Sequence, residues 1–222
     1  MMSMFCSHKC ISLFCVFIVA LFAVLNTSIL ALPTALPFHA KNKDFSIISK
    51  VESHLNSIRT LHAHFTQTSS NGSVATGVLY LKRPGKLRIN YALPNTLQII
   101  ANGTWLIFLD EKLKEINQLP LKASPASVLL QDNLQLLKGF PLLRMSKNKD
   151  IMEILINNQE DNEKTKLTLL ISKSSLDLLG WSILDTQGIK TRVILDSPIF
   201  NQPIEPSFFE FIPPDWAFPA GD

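Results

Sequence analysis

The chain has 222 residues, of which 18% are charged, and its formal net charge is +3. The charged fraction lies below the roughly 25% of an average protein, and lysine and arginine do not cluster in any one segment. This composition excludes the strongly basic surface of a nucleic-acid-binding protein, and the length suffices for one domain with a substantial core.

The first 31 residues have the three-part layout of a secretory signal peptide. A weakly basic start at His8 and Lys9 precedes an apolar run from Ile11 to Leu25, and Ala31 offers a small residue for cleavage. The run is shorter than the roughly 20 residues that a membrane-spanning helix needs. We therefore predict a cleaved signal peptide over residues 1–31 and a single domain over residues 32–222, with an uncleaved anchor as the alternative.

The cysteine and histidine content limits the chemistry that the chain can perform. Cys6, Cys10 and Cys15 all lie in the predicted signal peptide, so cleavage leaves no thiol for disulfides, catalysis or zinc. His62 and His64 share a predicted strand face, but no third ligand stands at a recognisable spacing. Neither a Gly-x-Ser-x-Gly nucleophile motif nor a phosphate-binding loop occurs. We predict no metal site, no cofactor and no enzymatic activity.

After the predicted signal peptide, the periodicity predicts one helix and then a series of strands. We expect Asp44 to cap the helix, because apolar residues follow it at spacings of three and four, namely Ile48, Val51, Leu55 and Ile58. From Ala63 onward apolar residues alternate with polar ones, which is typical of strands. The strands predicted in this half of the chain are one that begins at Ala63 and those over residues 74–81, 87–91, 96–101, 104–109 and 112–118.

The strand pattern is interrupted at Pro120. The pair Ser124-Pro125 predicts a short helix over residues 126–131, which residues 132–138 extend or follow. The later predicted strands cover residues 150–156, 165–171, 176–185, 189–195 and 208–212. Many short strands with few helices predict one strongly curved antiparallel sheet.

Several strands have apolar residues on both faces, such as Ile99 beside Ile100 and the run over residues 105–109. A sheet with one face in water alternates more cleanly than this. Both faces are therefore expected to be covered. The sequence leaves two interpretations open for the inner face, which are a packed barrel core and a cavity lined for an apolar ligand.

A series of short motifs gives the chain a family resemblance. An Arg-Pro-Gly turn at residues 83–85 joins two strand-like runs, and Asn102-Gly103 stands between the next two strands. The other motifs that carry the resemblance are, in chain order, Phe65-Thr66-Gln67, Gly77-Val78-Leu79, Arg88, Tyr91, Pro94, Trp105, Asp110, Ser124-Pro125, Leu129-Leu130, Asp185, Gly188, Phe209, Phe211 and Pro213-Pro214. From about residue 49 to residue 214 the chain thus resembles the outer-membrane lipoprotein carrier (LolA) family. It departs from the family pattern at Ile89, where an aromatic residue is common, and in the tail after residue 215.

This resemblance implies an unclosed, strongly curved antiparallel β-barrel of about 10–11 strands, with short α-helices as a lid over a hydrophobic concave cavity. It also implies that Arg83 hydrogen-bonds the backbone of the lid and holds the empty cavity shut. The implied lid is the helix after Pro125, and the implied cavity residues are Leu87, Ile89, Tyr91, Val128, Leu129 and Leu130. Without the resemblance, two other interpretations stay open. Arg83 is then a solvated turn residue, and the leucines of the helix after Pro125 simply pack against the sheet.

The resemblance implies a periplasmic chaperone that is not an enzyme and has no cofactor. Such a carrier binds the acyl chains of lipoproteins released from the inner membrane and delivers them to the outer membrane. Its implied partners are those lipoproteins, the inner-membrane lipoprotein-releasing ABC transporter and an outer-membrane lipoprotein receptor, and a monomer is the default expectation. The alternative is a periplasmic lipid- or lipoprotein-sensing regulatory module of the same half-barrel fold. A hydrolase is a third hypothesis, for which the sequence offers no pair of nucleophile and base.

Overall fold

The computed structural model describes residues 42–139, 144–156 and 165–217. The predicted signal peptide over residues 1–31 lies outside the described residues, and so does the first part of the predicted domain. Within the described ranges, no helix combines the length and the apolar character that a membrane crossing requires.

The described residues form one antiparallel sheet of eleven strands, which confirms the predicted fold class. The strands are β1 (Thr60–Ser69), β2 (Val74–Lys82), β3 (Lys86–Tyr91), β4 (Leu97–Asn102), β5 (Trp105–Asp110), β6 (Glu115–Pro120), β7 (Arg144–Lys147), β8 (Ile151–Ile156), β9 (Lys166–Ser172), β10 (Leu178–Leu184) and β11 (Lys190–Phe200). Neighbouring strands follow the order β6-β5-β4-β3-β2-β1-β11-β10-β9-β8-β7. Because β6 and β7 are the two edges and are not paired with each other, the sheet is unclosed.

Three α-helices and three 3-10 helices accompany the sheet in the described part of the chain. They are α1 (Asn42–Ser57), α2 (Ala126–Leu129) and α3 (Leu136–Gly139), with 3-10 turns at Leu121–Ala123, Pro206–Phe209 and Asp215–Ala217. The described α1 already includes Asp44, so the prediction that Asp44 caps this helix is wrong. Most predicted strand boundaries differ from the observed ones by no more than three residues.

One face of the sheet, which we call the inner face, carries the main apolar core. Alternate residues of each strand point to it, as Leu79 and Leu81 do on β2, because successive side chains of a strand point to opposite faces. On α1 the residues Ile48, Val51 and Leu55 share one stripe and are at most 3% exposed. These side chains belong to one buried cluster, so α1 packs against the inner face.

The opposite, outer face is covered in part by the C-terminal segment. The predicted strand over residues 208–212 is wrong, because Pro206–Phe209 forms a 3-10 helix and proline favours the first turn of a helix. Phe209 is fully buried, and the guanidinium of Arg88 lies 5.3 Å from the centroid of the Phe208 ring. The sheet is thus covered on both faces at this point, as the apolar residues on both sides of β4 and β5 indicate.

Two further strand predictions need correction. The sequence pattern does not predict β7, because this strand is only four residues long and lies in a polar stretch. The strand predicted over residues 189–195 ends too early, since β11 continues to Phe200. A proline inside a strand normally argues against the strand, but Pro198 is tolerated because β10 pairs with β11 only as far as Ile194.

Candidate functional site

Arg83 is a buried arginine in the turn that joins β2 to β3, with only 7% of its surface exposed. Its Nε donates a hydrogen bond to the carbonyl oxygen of Leu129 at 2.8 Å, and its Nη1 donates one to the carbonyl oxygen of Leu55 at 2.5 Å. Leu129 ends α2, and Leu55 lies in the last turn of α1. One guanidinium therefore joins α1 to the segment over residues 121–139, which we call the lid segment.

The position of the Arg83 side chain follows from nearby carbonyl groups at helix ends. The last four carbonyl groups of a helix have no partner within the helix, and the negative end of the helix dipole favours a cation there. The planar guanidinium carries five N–H donors in a fixed fork, so it can bond two carbonyl groups at once. Arg83 is therefore a structural link between two elements rather than a solvated turn residue.

The charge of Arg83 is retained in spite of its burial. Loss of hydration lowers the pKa of Arg83 to about 10, the nearby Arg59 lowers it as well, and Asp132 raises it. Because this depressed pKa still lies well above 7, the guanidinium is protonated and keeps its donors throughout the neutral range. We therefore expect no opening of this link between pH 5 and pH 8.

Asn56 on α1 makes a second link to the lid segment. Its Nδ2 donates to the carbonyl oxygen of Leu134 at 2.9 Å, while its Oδ1 accepts from the backbone N–H of Leu134 at 2.8 Å. The side-chain amide thus pairs with both backbone groups of one lid residue. Glu52, one turn earlier on α1, accepts a hydrogen bond from the N–H of Leu137 at 3.2 Å.

A third link lies at the surface, where Arg59 pairs with Asp132. The guanidinium of Arg59 contacts the Asp132 carboxylate at 2.5 Å and its backbone carbonyl oxygen at 3.0 Å. Both side chains are about half exposed or more, so solvent screens the pair and it adds little stability. The backbone N–H of Gly85 also donates to the carbonyl oxygen of Leu130 at 2.9 Å, which ties the turn after Arg83 to the lid segment.

The lid segment packs its apolar side chains against the inner face of the sheet. Val128, Leu129 and Leu130 are each at most 9% exposed, and Leu134 and Leu136 are fully buried. All five belong to the same cluster as the inner-face residues of β1 to β5. The inner face is therefore covered jointly by α1 and the lid segment.

The structure brings the sequence-predicted site residues close to one another. Leu87 and Ile89 are buried on the inner face of β3, and Tyr91 is partly buried at the end of the same strand. The predicted lid residues Val128, Leu129 and Leu130 pack on this face and belong to the same buried cluster. That these residues contact an acyl chain, and that Arg83 controls access to them, remain predictions.

Removing the Asn56 side-chain amide should loosen the lid segment without unfolding the sheet. In Asn56→Ala the buried backbone N–H and C=O of Leu134 lose their partners, which costs about 1–3 kcal/mol. We expect amide hydrogen exchange around Leu134 to accelerate by roughly tenfold or more, while exchange in β1 stays unchanged. Asn133→Ala, at an exposed neighbouring position, is the matched control, and equal exchange in both variants would contradict the role of Asn56.

The two histidines of β1 lie beside other aromatic rings in the structure. His62 stacks on the ring of Tyr80, with 4.4 Å between ring centroids, and the rings of His62 and His64 are 6.5 Å apart. Among residues 42–139, 144–156 and 165–217, no three side chains of the metal-ligating types come together. The aromatic contact accounts for the position of His62.

Comparison with known proteins gives a consistent family relationship. The family model of the outer membrane lipoprotein carrier protein LolA matches residues 56–212. The chain is 26% identical over 201 residues to an outer-membrane lipoprotein carrier protein of Chromobacterium violaceum, covering 87% of this chain and 94% of the relative. It is 28% identical over 174 residues to the protein of that name from Methylococcus capsulatus, covering 75% and 83%.

A solved structure of a LolA superfamily protein from Nitrosomonas europaea aligns with 11% identity and a TM-score of 0.44, covering 73% of this chain and 97% of the other. At that level the fold rests on the strand pairing described above rather than on the likeness. The family match covers most of the sheet, from the last turn of α1 to the C-terminal segment. The chain therefore belongs to the family of outer membrane lipoprotein carrier proteins, LolA.

Proposed function

We propose that this protein is a periplasmic carrier that binds the acyl chains of lipoproteins released from the inner membrane and delivers them to the outer membrane. It does so without covalent chemistry or a cofactor, and as a monomer. The observation that carries the proposal is the link through Arg83, which attaches the lid segment to α1 over an apolar inner face. The names of the related carrier proteins support the same function.

The energetics of acyl binding explain why such a lid is useful. Burying an acyl chain gains about 0.8 kcal/mol per methylene group, so several long chains gain far more than the roughly 20 kcal/mol at which natural affinities saturate. A carrier that releases its cargo without nucleotide hydrolysis must offset part of this gain. Separating the lid segment from the inner face and breaking the bonds of Arg83 and Asn56 provides that offset.

The cellular setting follows from the same proposal. A signal peptide over residues 1–31 would direct the domain over residues 32–222 to the periplasm, where the inner-membrane lipoprotein-releasing ABC transporter would load it. An outer-membrane lipoprotein receptor would then accept the cargo. Inner-face residues such as Leu87, Ile89 and Tyr91, together with Val128, Leu129 and Leu130, would contact the acyl chains.

Native mass spectrometry of the protein, purified gently from its host, tests this proposal. We expect a fraction of the molecules to carry a triacylated protein. A bound regulatory polypeptide without acyl chains would favour the sensing module instead. A protein that carries neither, and that accepts no acylated peptide when one is added, would contradict the proposed function.

A further inference from the structure

A polar pair interrupts the apolar inner face at the end of the strands that is farthest from Arg83. The hydroxyl of Tyr91 on β3 donates to the side-chain oxygen of Gln67 on β1 at 2.9 Å. On β1 the residue opposite Gln67 in β11 is Val193, which is buried and apolar. Burying a polar pair among apolar side chains costs free energy unless its hydrogen-bonding groups have partners.

The pair is held in place by a contact between aromatic rings across β2. The strand register places Phe65, Gly77 and Tyr91 side by side on β1, β2 and β3. The rings of Phe65 and Tyr91 meet edge to face, with 5.3 Å between centroids. A Cβ atom at Gly77 would lie 2.7 Å from a carbon of the Phe65 ring, so the missing side chain makes room for this contact. Tyr91 is therefore fixed before any ligand arrives.

The pair retains hydrogen-bond donors for a ligand. The side-chain nitrogen of Gln67 carries two N–H donors and has no protein partner within the described ranges of the chain. No fully buried side-chain nitrogen in those ranges lacks a partner, so this amide is reached by solvent. Burial raises the pKa of Tyr91 to about 12, which keeps its hydroxyl protonated and able to orient the amide of Gln67.

The distance from Gln67 and Tyr91 to Arg83 suits a molecule with one polar end. Leu87, Ile89 and Tyr91 follow one another along the inner face of β3. At about 3.4 Å per residue, the wall between Leu87 and Tyr91 is roughly 14 Å long. An extended hydrocarbon chain on this wall can leave its polar end beside Gln67 and its tail towards the lid segment.

We propose that Gln67, oriented by Tyr91, binds the carbonyl oxygen of the ester or amide at the head of an acyl chain. This inference rests on the proposed function and adds to it the place and the chemical group by which the lipid is positioned. The carbonyl oxygen replaces water at the Gln67 amide, so the hydrogen bond is exchanged rather than lost. Hydrocarbon without a carbonyl gains nothing from the pair.

Two lipopeptide probes with equal chains separate this role from general apolar binding. One probe has ester-linked palmitoyl chains, and the other has ether-linked chains of the same length without the ester carbonyls. We expect Gln67→Leu to weaken binding of the ester probe by about three- to tenfold, the range for one neutral hydrogen bond, and to leave binding of the ether probe unchanged. Tyr91→Phe, which keeps the ring against Phe65, should produce a smaller loss for the ester probe alone.

The control is Gln118→Leu, since Gln118 is exposed on β6 and lies on the outer face beside Ile107. It should bind both probes as the unmodified protein does. Equal effects of Gln67→Leu and Tyr91→Phe on the two probes, or no effect on either, would overturn the inference and leave the carrier function standing. If the unmodified protein bound neither probe, both the inference and the proposed function would fail. Should Gln67→Leu not fold, Tyr91→Phe decides the question by the same comparison.

Discussion

Replacing Arg83 with leucine is expected to lower the free energy of unfolding of the empty protein by about 2–4 kcal/mol. The carbonyl group of Leu129 would remain buried without its donor, and that of Leu55 would keep only its hydrogen bond of 3.3 Å from the N–H of Ile58. The loss of each bond to the charged guanidinium costs about 1–3 kcal/mol. Urea unfolding of the cargo-free variant, compared with the unmodified protein, measures this loss. An unchanged midpoint and slope would show that these bonds do not stabilise the closed form.

The same substitution should affect cargo release more than cargo loading. If the lid segment leaves the inner face when cargo binds, Arg83→Leu destabilises the empty form and leaves the loaded form largely unaffected. The loaded form is then favoured by the same 2–4 kcal/mol, which corresponds to about 30-fold or more in affinity. Loading from the inner membrane should therefore persist, and transfer to the acceptor should slow.

Arg83→Lys is the matched variant for this experiment, because it keeps the charge but loses the planar fork of donors. We expect transfer rates between those of Arg83→Leu and the unmodified protein. Transfer by Arg83→Leu at the normal rate would remove Arg83 from the mechanism.

Gly77→Ala is expected to be at least as disruptive to folding, with a loss of about 3–5 kcal/mol in the free energy of unfolding. An added Cβ would lie 2.3 Å from the backbone oxygen of Asn90 and 2.7 Å from the Phe65 ring. The oxygen of Asn90 belongs to the neighbouring strand β3 and cannot move without disturbing the pairing of β2 with β3. Thermal and urea unfolding of the purified variant measure the loss.

Gly72→Ala is the control for the glycine substitution. Gly72 lies in the turn between β1 and β2 with φ of 89°, and a Cβ there would meet no atom within 4 Å. The backbone conformation alone should cost about 1 kcal/mol. Equal losses for Gly72→Ala and Gly77→Ala would show that the close approach of Asn90 and Phe65 to Gly77 is not the cause.

The sheet could be predicted because its signals are local. Alternating apolar residues, together with turns such as Asn102-Gly103, indicate strands and hairpins within a few residues of each other. The pairing of β1 with β11 joins residues more than 100 positions apart, and no local pattern announces it. It was the family resemblance that supplied the half-barrel arrangement.

The lid contacts show the same difference between local and distant information. The sequence pattern indicated a helix after Pro125, and the resemblance assigned a role to Arg83. Nothing in the sequence singled out Asn56, whose partner Leu134 lies 78 positions away. The last predicted strand failed for a related reason. Phe209 is buried and Phe208 partly buried by contact with the outer face rather than by strand pairing.

The central claim is that acyl chains reach the inner face only when the lid segment moves away. With residues 1–31 removed the chain has no cysteine, so a variant that combines Asn56→Cys and Leu134→Cys has one pair of thiols, placed where the α1 side chain meets the lid backbone. Binding of an acylated peptide is measured with this pair joined by a disulfide and again after reduction. We predict no binding in the joined form and recovery after reduction, and equal binding in both forms would contradict the claim.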